Sequence, residues 1–249
     1  MPGLKEMVFT STSRNPEIFD QRLFSNILNL AFANIIMGFF ISNVLAYKFR
    51  PSWWELEKDR RKMILDELRE TLKGVGGGGG KVLKAEIYSS LRYDCSIIFW
   101  LLLNKPEELP VARAKLEKIL GRHASIKHGF LSVYEQKKEK GDEKREYFVA
   151  YPISKDPEWY LLDKVERSEI MAEHIKIATE NPNNKGINSY TTMSFGIDDN
   201  EFVVLYELNS IEEWVLVTQS LREAKARKWM TNEKPILVGR KDNVEAFLA

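Results

Sequence analysis

One order of strands and helices occurs twice in this chain, and that repetition constrains its fold more than any other feature. In the first pass, "VLAYKF" (44–49) reads as a strand and "PSWWELEKDRRKMILDELRETL" as a helix, with Ser52 and Glu55 at capping-box spacing. Ile64, Leu65, Leu68 and Leu72 give that helix one apolar face. Strands "VLKAEIYSSL" and "SIIFWLLL" follow, then a helix over Glu107–Leu120 and strand "GFLSVYEQ". In the second pass, strand "EYFVAYPI" leads to a helix over Lys164–Thr179 and strands "GINSYTTMSF" and "EFVVLYEL". A helix over Ile211–Arg227 and strand "KPILVG" complete it. Asp163 with Glu166, and Ser210 with Glu213, again have cap spacing, and "YSSL" (88–91) and "YTTM" (190–193) fall at equivalent places. Each half is β-α-β-β-α-β, so the predicted class is α+β with duplicated ferredoxin-like halves. Two such sheets, each with helices on one face, can pack their other faces together around a cavity. The predicted division is 1–42 as an N-terminal extension, 43–141 as the first half and 142–249 as the second.

Lys and Arg number 37 against 36 Asp and Glu, a formal charge of +1, which gives no electrostatic case for nucleic acid. The basic runs "KDRRK" (Lys58–Lys62) and "EQKKEKGDEKRE" (Glu135–Glu146) read as a solvated helix face and a solvated loop. A single cysteine, Cys95, excludes an internal disulfide and an all-Cys metal site, and fits a reducing, cytoplasmic setting. The run Leu23–Tyr47 has no charged residue, yet Asn26, Asn29, Asn34 and Asn43 interrupt it. It reads better as a short helix and a strand than as a membrane span. Glu6, Glu17 and Asp20 precede it and no small-residue cleavage site follows, which argues against a signal peptide. Residues 1–36 precede a second methionine, Met37, and read as an appended arm or as sequence upstream of the natural start. "GVGGGGGK" (Gly74–Lys81) lacks the Gly-Lys-Ser/Thr ending of a phosphate loop and reads as a flexible connector.

One histidine stands out among the three in the chain. Ile170, Met171, His174, Ile177 and Ala178 form one helical stripe, so His174 lies on the apolar side. Such a His is usually packed and hydrogen-bonded to backbone. The alternative is a neutral imidazole held in a dry cavity for one metal; with no second His or Cys at metal spacing, haem fits better than zinc.

The stretches "YPISKDPEWYLLDKVERSEIMAEH", "SFGIDDNEFVVLYEL" and "LREAKARKWMTNEKPILVGR", with "YKFRPSWWELEKDRRKMILDEL" earlier, resemble the chlorite dismutase superfamily, in particular its coproheme decarboxylase branch. The likeness covers about residues 43–240. It implies a dimeric-α+β-barrel fold, usually a homopentamer, with haem in the second half of each subunit. By resemblance, His174 is the axial iron ligand, and Tyr151 and Lys155 of "YPISK" are the radical tyrosine and a propionate-binding lysine. Arg222 matches a propionate-binding arginine on the later helix, and Trp159 and Ser189 fall among the cofactor-binding positions. The implied activity is oxidative decarboxylation of iron coproporphyrin III to protohaem with hydrogen peroxide; the alternative is a haem carrier, sensor or weak peroxidase.

Two departures argue against chlorite chemistry. Chlorite dismutases place an arginine above the iron where this chain has Ser189, and a glutamate behind the proximal His where it has Ala226. The loop after "SVYEQ" is short and lysine-rich, whereas decarboxylases place another propionate-binding arginine there; Lys137, Lys138 or Lys144 are the candidates to replace it.

Overall fold

The computed structural model describes residues 38–137, 145–241 and 243–248. The helix expected before Met37, and Lys138 and Lys144, lie outside the described residues. Strand β1 (Gly38–Phe49) begins well ahead of the predicted Val44. The first half continues with a short helix α1 (Pro51–Trp54), α2 (Lys58–Lys73), β2 (Val82–Ser90), β3 (Ile97–Leu103), α3 (Glu108–Leu120) and β4 (Ala124–Gln136). The second half is β5 (Tyr147–Lys155), a short α4 (Glu158–Leu161), α5 (Lys164–Glu180), β6 (Asn188–Met193), β7 (Phe202–Leu208), α6 (Ile211–Ser220), β8 (Met230–Asn232) and β9 (Leu237–Lys241).

The strands run β7-β6-β4-β1-β3-β2-β9-β5, and β5 pairs back with β7, closing the sheet into a barrel. Strand β8 extends the β9 side of β5 at Ser154 and Lys155. Within each half the order is the ferredoxin-like one. The halves join at two seams, β2 with β9 and β4 with β6. Closure removes the open edges that would otherwise pair with other chains.

Alternation along the strands sorts side chains between two layers. Phe40, Val44 and Ala46 of β1 face inward to meet Ile98, Trp100, Phe148, Tyr190, Val203 and Leu205 from both halves. This inter-sheet space is a filled core, where the sequence reading expected a cavity. Aromatic rings fill it: Tyr88 stacks on Phe148 at 4.6 Å, and Trp100 lies 5.1 Å from Phe148 and 5.0 Å from Tyr190. An ion pair spans the halves inside it, with Lys84 Nζ donating to both Glu207 oxygens at 2.7 and 2.8 Å. Tyr190 Oη also donates to Glu207, at 2.8 Å.

On the outer face of the first half, Leu45, Tyr47 and Phe49 meet Leu65, Leu68 and Leu72 of α2 and Leu109, Leu116 and Leu120 of α3 in a second filled core. The predicted single helix after β1 is broken instead. Trp53 is buried and stacks on Phe49 at 4.1 Å, pinning α1, and the Ser52–Glu55 cap does not form. Ser52 Oγ lies 3.2 Å from His123 Nδ1, and the α2 N-cap, Glu57, makes no side-chain cap. The other two predicted caps are present: Asp163 Oδ1 accepts from Val165 N at 2.8 Å and Ser210 Oγ from Glu213 N at 3.0 Å. Arg61, read as part of a solvated face, is buried with its guanidinium 5.7 Å from the Trp54 ring.

The glycine run, predicted to be a flexible connector, is a turn docked on residues 104–108. Lys105 Nζ donates to Gly78 O at 2.8 Å, and Asn104 Oδ1 accepts from Lys81 N at 2.6 Å. Helix α6 ends at Ser220 rather than Arg227. Thr218 and Ser220 hydroxyls bond back to Trp214 and Val217 carbonyls, and the chain turns on through two 3-10 segments, Leu221–Glu223 and Lys225–Trp229. Among the described residues no helix is long and apolar enough to cross a membrane.

The β2–β9 seam depends on close approach at Gly239. A Cβ there would lie 2.8 Å from Tyr88 Cβ and 3.2 Å from the Ser89 carbonyl. Gly239→Ala is therefore expected to cost roughly 1–3 kcal/mol through overpacking, read as a lower midpoint in urea or thermal unfolding. An unchanged midpoint would mean that the seam is looser than this packing.

Candidate functional site

The outer layer of the second half is built differently from the first. Helix α5 buries only Ile170, and α6 only Trp214 and Val217. Between these helices and the sheet lies a cavity of about 690 Å³. Strand β5 contributes Tyr151, Ile153 and Lys155, and β7 contributes Phe202, Val204 and Tyr206, each set at every second position and so on one face. Helix α5 contributes Arg167, Met171 and His174, spaced by four and three residues along one stripe. The segment after α6 supplies Arg222, Ala226 and Arg227, and the β8 region supplies Met230 and Glu233.

Five of the six sequence-predicted site residues therefore meet at one cavity: Tyr151, Lys155, Trp159, His174 and Arg222. Ser189 does not. It is exposed on β6, opposite Tyr206 in the register, and the β6 residue in the lining is Thr191, two positions along the same face. Arg222 sits on a 3-10 turn rather than on the predicted helix.

His174 is half-buried, and its Nδ1 is a buried atom without a hydrogen-bond partner among the described residues. Burial, reinforced by the charges of Lys155 and Arg227, lowers its pKa and favours the neutral ring. Among the described residues no carboxylate hydrogen-bonds its Nδ1, and Glu173 opposes the lowering by its charge; Ala226 is buried in the cluster formed with Ile170 and Trp159. Tyr151 is pushed well above the ordinary phenol range, first by burial and then by its neighbour and hydrogen-bond partner Tyr206. Its ring lies 6.1 Å from Tyr206, which in turn packs 4.3 Å from Trp214.

Lys155 Nζ lies 4.0 Å over the Trp159 ring. Burial lowers its pKa, Arg227 adds to this and Glu201 opposes it. Lys155 has no carboxylate within salt-bridge range among the described residues, so its ammonium is available to an incoming anion. Arg222 and Arg227 both reach Glu233, at 3.1 and 2.5 Å. The lining thus holds four cations, Lys155, Arg167, Arg222 and Arg227, against one carboxylate, Glu233. Such a site combines an apolar floor, a neutral imidazole lone pair, an oxidisable phenol and a cationic wall. It suits a flat, largely apolar polyanion.

Sequence reasoning missed Arg167, Tyr206, Arg227 and Glu233. Tyr206 was available from period-two alternation with Phe202 and Val204, and Arg167 from extending the helical stripe of Met171 and His174 back by one turn. Arg227 sits on a 3-10 segment where the sequence reading had extended a helix, and Glu233 on irregular backbone, so regular spacing assigns neither to a face.

A histidine retained for packing and one retained for a ligand respond differently to removal. Because a buried ring nitrogen without a partner costs about 1–3 kcal/mol, His174→Leu is expected to leave the stability of the ligand-free protein unchanged or to raise it. A loss of more than about 2 kcal/mol in urea unfolding would return His174 to the packing role.

Residues 61–242 match the sequence profile of the chlorite dismutase family. A coproheme decarboxylase from Mycolicibacterium smegmatis is 25% identical over 206 residues, covering 78% of this chain and 87% of the relative. The crystal structure of TA0507, a protein given the provisional designation chlorite dismutase, superposes with a TM-score of 0.77 and 37% identity, covering 85% of this chain and 98% of that one. A heme-binding protein from Thermus thermophilus has the same fold, with a TM-score of 0.71 and 19% identity over 85% of this chain and 95% of that one. The profile match spans most of the chain, and the duplicated barrel is shared with solved structures: the chain belongs to the chlorite dismutase family.

Proposed function

We propose that this protein binds iron coproporphyrin III in the second-half cavity and decarboxylates it oxidatively with hydrogen peroxide. The observation that supports this reading best is the convergence of Tyr151, Lys155, His174 and Arg222 on one apolar-walled cavity of about 690 Å³. That volume lies within the range of small-molecule sites, roughly 300–1,000 Å³. The name of the Mycolicibacterium relative, coproheme decarboxylase, points the same way. The residues present fit an iron porphyrin: His174 would offer a neutral ring nitrogen to the iron, and the lining cations would offer partners to propionates.

When bound, the iron porphyrin with peroxide supplies the oxidising equivalents. Tyr151 would be the phenol that gives up an electron and a proton and regains a hydrogen atom from a propionate side chain. Burial holds it protonated until then. Each propionic acid plus one hydrogen peroxide gives one vinyl group, one carbon dioxide and two waters. Lys155 and Arg222 hold propionates by charge, and Trp159 packs beneath the Lys155 ammonium. The cytoplasm and a homopentamer are the setting and assembly that go with this reading.

A second reading, a haem carrier or sensor, is favoured by one observation: among the described residues no carboxylate accepts a hydrogen bond from His174 Nδ1, so no such bond strengthens the ring as a ligand, which suits a haem that is exchanged.

Mass analysis of the porphyrin after peroxide titration separates the two. Stepwise loss of two carboxyl groups is the expected result, and unchanged mass would leave the carrier reading. Tyr151→Phe should retain binding and lose the first decarboxylation by at least about a hundredfold, the scale of a lost transition-state contact. Lys155→Ala should weaken binding or stop the reaction part-way; full affinity with complete turnover would rule that contact out.

A further inference from the structure

The cationic wall contains its own anion. Glu233, in the segment after β8, receives Arg222 Nη1 on one carboxylate oxygen at 3.1 Å and Arg227 Nη1 on the other at 2.5 Å. A guanidinium carries five N–H donors, so one carboxylate shared by two of them leaves donors on both. The carboxylate is not deep: Glu233 is 23% exposed at its side chain, Arg227 30% and Arg222 56%. Burial pushes the Glu233 carboxyl up, but Arg227 and Arg222 outweigh that effect and keep it ionised. Among the described residues no carboxylate lies within salt-bridge range of Lys155 or Arg167, although the charges of Glu201 and Glu233 act on Lys155; Arg167 donates a weak 3.5 Å contact to the Tyr160 carbonyl.

Two like charges drawn to one carboxylate are poised for another. Resting on the proposed porphyrin site, we infer that Glu233 is a specificity-determining residue: its carboxylate fills the anion position shared by Arg222 and Arg227 and competes there with a carboxylate of the ligand. The competition lowers affinity most for ligands carrying the most carboxylates. It keeps the four-cation wall from holding a polycarboxylate too tightly to exchange. The unliganded pair, with Glu233, has a charge of +1. Removing the Glu233 charge makes it +2 and leaves the anion position open to the ligand alone.

The test compares binding of iron coproporphyrin III, with four carboxylates, and iron protoporphyrin, with two, by absorbance titration of wild type and Glu233→Gln. The variant is expected to bind the tetracarboxylate about tenfold more tightly, equivalent to about 1.4 kcal/mol, and the dicarboxylate less than about threefold more tightly. The gain should shrink as salt is raised and disappear when Arg222→Gln is added. Weaker binding of both porphyrins would overturn the inference, since Glu233 would then be needed to position the arginines. Equal gains for both porphyrins, or a gain that survives Arg222→Gln, would also overturn it, while leaving the porphyrin site intact. No binding of either porphyrin by wild type would overturn the site reading and this inference with it.

Discussion

Closure of the barrel is the constraint on which the rest of the structure depends. Two ferredoxin-like sheets expose strand edges on both sides, and each half presents an apolar face that helices do not cover. Pairing β2 with β9 and β4 with β6 resolves both problems at once. The β4–β6 seam has only one registered pair, Val133 with Met193. Side chains extend it: Ser132 and Thr192 hydroxyls meet at 2.6 Å and Ser194 Oγ donates to Leu131 O at 2.6 Å. Once the sheets close, rings from both halves fill the interior, and Lys84–Glu207 satisfies the charges caught inside. The interior is packed with buried side chains.

A ligand site must therefore lie outside the barrel, in a helix–sheet layer, and the two halves differ there. In the first half, leucines of α2 and α3 pack the centre of the layer. In the second, α5 presents Arg167, Met171 and His174 toward the sheet, and few of its residues reach the core. A layer that lacks leucines cannot close, and what remains is a cavity whose floor is β5 and β7. The difference in packing between the two layers thus accounts physically for this cavity lying in the second half. A histidine whose Nδ1 has no partner among the described residues is tolerated there because the helix holds its place through Ile170, the Asp163 cap and Ala226.

Much of this was legible in the sequence because periodicity carries it. The order of elements, the α+β class, two of three caps and the stripe bearing His174 all followed from spacing. What failed was set by contacts distant in the chain. The break after Trp54 arises because Trp53 stacks back on Phe49, and the glycine run is ordered by Asn104 and Lys105. The cavity was expected between the sheets because alternation shows that a face is apolar without showing whether its partner fills it. Ser189 was placed by alignment; the strand face was right, but the cavity wall ends at Thr191. Glu233 lies on irregular backbone between β8 and β9, where no pattern marks it as facing two arginines.

The central claim is that His174 is a ligand-bearing residue in a porphyrin-binding cavity. The most direct measurement is the visible spectrum of purified protein titrated with iron coproporphyrin III, beside the same titration of His174→Ala. The account predicts a saturable Soret band shift of a histidine-ligated iron in wild type and its loss in the variant. An identical spectrum in both proteins would contradict it.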